Sequence, residues 1–245
     1  MTHPSMPADA AARATSAEDR SKPRQPLRLG VLIGGGGRTL INLHDAIRRG
    51  DLHASIDLVI ASREDLPGVA RARERGLETR VIDPRTHAGG HGSVERANEA
   101  ILAALRQAKG GSVDLVVLAG YIRHVPIPPD FAGRVVNIHP ALLPSFGGKG
   151  MYGRHVHEAV LAHGCKVSGC TVHFVDEVYD NGPILLQRCC PVLEGDTPDT
   201  LAARVFEEEK IAYPAALALI AAGRVRVEGR RVSILPPETR EAGRM

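Results

Sequence analysis

Continuous apolar runs alternate along the chain with segments whose apolar residues recur at three- and four-residue spacing. Leu27 to Ile33 is such a run and leads into four glycines, which predicts a buried strand. From Arg38 to Arg49, Leu40, Leu43 and Ile47 carry helical spacing, and Gly50 stops the helix. Ile56 to Ala61 is a second strand, Pro67 to Arg75 a helix closed by Gly76, and Thr79 to Ile82 a third strand. After a loop over 83–92, Ser93 caps a helix that runs to about Ala108. Val113 to Leu118 and Arg134 to Ile138 are the fourth and fifth strands. Strands that are apolar on both faces and alternate with helices predict an α/β fold, a Rossmann-like open sheet that is mostly parallel with helices on both faces.

The pattern changes in the second half. Val167 to Val175 and Ile184 to Val192 are two strands joined by a short loop holding Asn181 and Gly182, which predicts an antiparallel hairpin. Thr197 starts a long helix to Ala222. Arg224 to Val227 and Arg231 to Leu235 form a last hairpin turning at Gly229. The expected organisation is a disordered leader over 1–26, one domain over 27–235 and a flexible tail over 236–245.

Composition narrows the function. Aromatic residues make up 3% of the chain and Trp is absent, so the core must be aliphatic. The formal net charge of +3 is too small for a nucleic-acid partner, which needs a concentrated basic face. No stretch reaches the roughly 18 apolar residues of a membrane helix. Cys165, Cys170, Cys189 and Cys190 match no zinc spacing. They read as reduced cysteines of a cytoplasmic protein, and no metal is expected.

Two motifs carry chemistry. Gly34 to Gly37 lies between a strand and a helix start, where successive N–H groups can converge on an anion, and Arg38 and Thr39 add donors. The loop lacks the Gly-Lys-Ser/Thr of a P-loop, and Thr39 breaks a dinucleotide fingerprint. Asn137-Ile138-His139-Pro140 ends the fifth strand, on the sheet edge where ligands bind. Residues at i and i+2 of a strand project to one side, so Asn137 and His139 converge. An amide and an imidazole suit acyl transfer to an amine: the amide steadies the oxyanion and the imidazole handles the proton. Asp180, in Tyr179-Asp180-Asn181-Gly182, is the candidate acidic partner of His139. His87, His91, His155, His157 and His163 form no ligand pattern, and His155 and His157 do not share a helix face.

With these motifs go Leu118-Ala119-Gly120-Tyr121-Ile122-Arg123, Gly169-Cys170-Thr171-Val172-His173-Phe174-Val175, Asp180-Asn181-Gly182-Pro183 and Glu209-Lys210-Ile211-Ala212-Tyr213-Pro214. In this order and spacing, from about Leu27 to Leu235, the chain resembles the phosphoribosylglycinamide formyltransferase family of purine synthesis. The resemblance implies catalytic roles for Asn137, His139 and Asp180. It implies that the acceptor phosphate sits on Gly36, Gly37, Arg38 and Thr39, and that Glu209 holds the ribose. It implies 10-formyltetrahydrofolate as co-substrate along Ile122, Arg123, His124 and Val125, near Asn137 and against the loop from Asp176 to Asp180. It implies a metal-free reaction on small molecules, by a monomer or homodimer. Gly34 stands where the family commonly has Ser, Arg38-Thr39 where it has Ser-Asn, and Val94 near the place of a folate-contacting Arg, with Arg96 two residues on and its substitution for that Arg left open.

Rival readings remain. A 10-formyltetrahydrofolate hydrolase uses the same three side chains with water as acceptor, but usually carries an N-terminal regulatory domain that 26 residues cannot form. A transferase acting on charged tRNA typically needs a C-terminal RNA-binding domain, which is not expected here. A non-catalytic phosphate- or nucleotide-binding module would use the glycine loop alone.

Overall fold

The computed structural model describes residues 25–85 and 93–237. The leader to residue 24, the loop over 86–92 with His87 and His91, the Ser93 side chain expected to cap the third helix and the tail from 238 lie outside what is described. The parallel strands are β1 (Leu27–Ile33), β2 (Ala54–Ala61), β3 (Thr79–Val81), β4 (Leu115–Ala119) and β5 (Val135–His139). β6 (Val167–Phe174) and β7 (Ile184–Pro191) complete the sheet in antiparallel fashion. The order is β3-β2-β1-β4-β5-β6-β7. The chain therefore winds outward from β1 in one direction, then returns to β1's other side with β4. That reversal opens a crevice between the C-terminal ends of β1 and β4.

Alternating strand residues feed two cores. Val31, Ile33, Val59, Val117 and Val136 pack against α1 (Arg38–Arg49), α2 (Pro67–Glu74), α4 (Arg154–Ala162) and α5 (Pro198–Ala221). Leu32, Leu58, Ile60, Val116 and Leu118 pack against Ala97, Ile101 and Leu105 of α3 (Ser93–Arg106). Helices thus cover both faces as expected, one on one side and four on the other.

α5 begins with a reciprocal cap: Thr197 Oγ1 accepts from the Thr200 amide at 3.2 Å, and Thr200 Oγ1 accepts from the Thr197 amide at 2.9 Å. Further along, Tyr213 is fully buried, and its hydroxyl lies 3.0 Å from the Leu118 carbonyl and 3.1 Å from that of Val136. An unpartnered hydroxyl there would cost about 1–3 kcal/mol. Partnered, it ties α5 to the strand ends that carry the site.

The connection between β6 and β7 runs over 175–183, close to the loop expected between the two antiparallel strands, and it brings Asp176 and Asp180 back toward the sheet edge. Two elements were not read as such from the sequence. A single 3-10 turn, Pro129–Phe131, precedes β5. α4 is a full element, of which only the start carried a readable signal. β8 (Val225–Glu228) and β9 (Arg231–Ile234) pair as a separate hairpin.

Candidate active site

A cavity of about 720 Å³ opens at the crevice. Each candidate residue named from the sequence lines it: Gly36, Gly37, Arg38 and Thr39 after β1; Ile122, Arg123, His124 and Val125 after β4; Asn137 and His139 on β5; Asp176 and Asp180 on the loop after β6; and Glu209 on α5. Val94 and Arg96 do not line it.

β5 and β6 build the centre. In their antiparallel register Asn137 faces His173, and His139 faces Thr171. All four side chains therefore share one face of the sheet. His173 Nδ1 lies 2.8 Å from the Phe174 carbonyl, which can only accept, so Nδ1 carries the proton. Its Nε2 then accepts from Asn137 Nδ2 at 3.3 Å. This fixes the Asn137 amide and leaves its second N–H for the cavity.

His139 is held from both sides. Its Nε2 donates to the Phe146 carbonyl at 2.8 Å, and its Nδ1 lies 3.4 Å from Asp180 Oδ2. Phe146 and Asp180 have φ of 55° and 54°, the only non-glycine residues with positive φ among those described. Left-handed backbone is strained for such residues, and strain of this kind collects at functional sites. Asp180 also accepts from the Gly148 amide at 3.0 Å and lies 3.7 Å from His173 Nε2. Burial pushes the Asp180 carboxyl up, but His173, His139 and the Gly148 amide outweigh it and hold the carboxyl below its usual range. For His139 burial wins: its pKa falls below 6.5 although Asp180 and the Phe146 carbonyl favour the imidazolium.

The walls differ in character. On one side the glycine loop meets α1, whose N-cap Gly37 supplies no side-chain cap. The Arg38 guanidinium stacks 4.2 Å over the Phe206 ring. Burial raises the Glu209 carboxyl to about 7, against the opposing charge of Arg38. On the other side Leu102, Leu105, Val116, Leu118, Phe131 and Val135 form an apolar slot. A flat, largely apolar ring system fits such a slot, and Arg123 and Asp176 add polar groups to the cavity lining. Gly34 is required here for a packing reason: a Cβ on it would lie 2.4 Å from the Gly120 carbonyl oxygen.

Residues 27–217 match the formyl transferase family. The chain belongs to that family. It is 40% identical over 188 residues to the phosphoribosylglycinamide formyltransferase, chloroplastic, of Vigna unguiculata, covering 76% of this chain and 58% of the relative's length. Among solved structures, glycinamide ribonucleotide transformylase 1 from Symbiobacterium toebii superposes with a TM-score of 0.79 at 40% identity, over 91% of this chain and all of the other. A formyltetrahydrofolate deformylase from Pseudomonas syringae shares the fold, with a TM-score of 0.70 at 24% identity over 86% of this chain and 67% of that one.

Within this formyl transferase, sequence reading missed two histidines. His173 is 1% exposed and anchors Asn137. Its only sequence signal is its place in a strand that pairs with β5. His157 is 4% exposed, lines the cavity, and its Nδ1 has no partner among the described residues. His155, two residues before it on α4, is exposed. The cysteines are all free; Cys170 and Cys190 are buried, while Cys189 is exposed. Among the described residues no group of three or more His, Cys, Asp or Glu is arranged to hold a metal, and no helix is long and apolar enough to cross a membrane.

Proposed function

We propose that this formyl transferase moves the formyl group of 10-formyltetrahydrofolate onto the amine of 5'-phosphoribosylglycinamide, in de novo purine biosynthesis. One observation carries the reading: Asn137, His139 and Asp180 line a cavity that has an anion cradle on one wall and an apolar slot on another. The names of its relatives support the choice of acceptor. The four free thiols suit a reducing cytoplasm.

The co-substrate supplies the formyl carbon. Ile122 to Val125 and the apolar slot hold its ring system, with Asp176 at the rim. Gly36, Gly37, Arg38 and Thr39 take the acceptor phosphate, and Glu209 takes its ribose hydroxyls. Asn137 offers its free N–H to the formyl oxygen as negative charge develops there, an interaction worth about 10²–10³ in rate. The amine forms a C–N bond to the formyl carbon and sheds one proton. The nitrogen that gives up the formyl group takes one. His139 Nε2 is committed to the Phe146 carbonyl, so both transfers run on its Nδ1: the neutral ring takes the amine proton there, beside the Asp180 carboxylate, and passes it to the nitrogen that gives up the formyl group.

The test is a formyl-transfer assay with 10-formyltetrahydrofolate and 5'-phosphoribosylglycinamide, beside a reaction holding water as the only acceptor. Acceptor-dependent loss of the donor, with little formate in water alone, is the expected result. Release of formate at the same rate without acceptor would make the protein a hydrolase. In the same assay Asp180→Asn should lower kcat about 10²–10³-fold with KM values nearly unchanged. Unaltered turnover would remove Asp180 from the chemistry.

A further inference from the structure

The glycine loop does not shape itself; α2 shapes it. The Gly68 amide donates to the Gly35 carbonyl at 3.2 Å, and Arg71 Nη1 donates to the Gly36 carbonyl at 2.6 Å. In a trans peptide the carbonyl and the next N–H point in opposite directions. With both carbonyls turned toward α2, the N–H groups of Gly36 and Gly37 turn away from it. Gly35, Gly36 and Gly37 line the cavity, whereas Gly68 and Arg71 do not. Neither inward amide donates to a group among the described residues. The two amides form a concave donor pair, and the N-terminus of α1 adds positive potential directly behind them.

Left alone, a run of four glycines would sample many conformations, because each peptide flips at little steric cost. A flip of either peptide would turn a carbonyl oxygen into the cavity and repel an anion. Gly68 imposes a second constraint. A Cβ on it would lie 2.8 Å from the Gly35 carbonyl oxygen, 2.9 Å from Ile33 Cδ1 and 3.1 Å from Gly37 Cα. The helix presses directly on the loop, and only glycine permits that approach.

We propose that Gly68 and Arg71 are positioning residues for phosphate: they hold the carbonyls of Gly35 and Gly36 out of the cradle without touching the ligand. The identity of the phosphate ester rests on the function proposed above, but the cradle itself answers to inorganic phosphate. The experiment uses the full chain and two measurements, calorimetric binding of inorganic phosphate and steady-state formyl transfer. Arg71→Met should weaken phosphate binding and raise the acceptor KM about five- to twentyfold, with kcat and the donor KM within about twofold. Arg73→Met removes an equal charge from the same helix without a bond to the loop and should change neither. Gly68→Ala keeps every charge and should weaken phosphate at least as much as Arg71→Met. The inference is overturned if Arg71→Met or Gly68→Ala binds phosphate like the parent. It is equally overturned if Arg73→Met loses as much as Arg71→Met, since charge alone would then be acting. Should Arg71→Met not fold, Gly68→Ala decides. A parent protein that binds phosphate but transfers no formyl group to 5'-phosphoribosylglycinamide would defeat the proposed function and leave this inference standing.

Discussion

Glu209 holds a carboxyl where its charge is disfavoured. Burial raises its pKa from 4.5 to about 7, with the Arg38 guanidinium opposing. Between those two values the folded chain keeps a proton that the unfolded chain has lost, so stability falls as pH rises through that window. Glu209→Gln removes the linkage. The variant should match the parent near pH 4.5 and exceed it by about 1–2 kcal/mol at pH 8, a figure reduced because the side chain is only partly shielded from cavity solvent. Denaturant midpoints at the two pH values measure it, and equal differences at both would rule the buried carboxylate out as the cause. The acceptor KM should rise as well. At this scale the sequence was informative where a residue type is rare in its setting. Asn and His at a strand end and an acidic turn residue could be named in advance. His173 could not, because a histidine inside an apolar strand looks the same whether it anchors an amide or fills the core. The Phe146 carbonyl carries no side-chain signal at all.

Elements set these side chains through a polar joint beneath the site. Thr171 on β6 is 0% exposed; its hydroxyl donates to the Ala141 carbonyl at 2.7 Å and accepts from the Leu143 amide at 3.0 Å. Gln187 on β7 donates to the same hydroxyl at 2.9 Å and to the Leu143 carbonyl at 3.0 Å. The loop that follows His139 is thereby bolted to the two antiparallel strands. Thr171→Val keeps the volume and strands these buried groups, at about 2–3 kcal/mol. The expected result is a Tm lower by roughly 4–12 °C and a kcat reduced about tenfold, since the loop carries Phe146 and so the far side of His139. Retention of both values would show that the loop needs no such anchor. The strands themselves were legible as apolar runs to within a residue or two. The loop between β6 and β7 was legible in extent but not in path: Asn181-Gly182 reads as a plain turn signal, and nothing in it says that the Gly182 backbone packs against the Phe174 carbonyl, where a Cβ would lie 1.9 Å from the oxygen.

For the whole molecule, a parallel α/β sheet followed from strand–helix alternation, but the order of strands did not. Apolar runs say that a strand is central, not which neighbour it takes, so the β1–β4 adjacency that creates the cavity became visible only in three dimensions. The opposite edge of the sheet is closed by a residue with no sequence signal, Arg28 on β1. Its guanidinium bonds Asp57 on β2 at 2.6 Å, the Gly110, Gly111 and Ser112 carbonyls at 3.3, 3.2 and 3.1 Å, and the Lys109 carbonyl. Its backbone amide donates to Asp114 at 2.9 Å. This hub joins β1, β2 and the turn entering β4 at their N-terminal ends, away from the catalytic edge. Arg28→Met leaves Asp57, whose side chain is only 13% exposed, without its cation and strips four carbonyls of a donor. Water reaches the hub, because the Arg28 side chain is itself 25% exposed, so the expected loss is about 1–3 kcal/mol, below that of a fully buried pair. If the two edges are energetically separate, the variant should unfold at lower denaturant with an unchanged m-value while kcat and both KM values hold. A fall in kcat larger than about threefold would mean that the central strands transmit displacement from one edge to the other, and the division of the molecule into a supporting edge and a reacting edge would have to be given up.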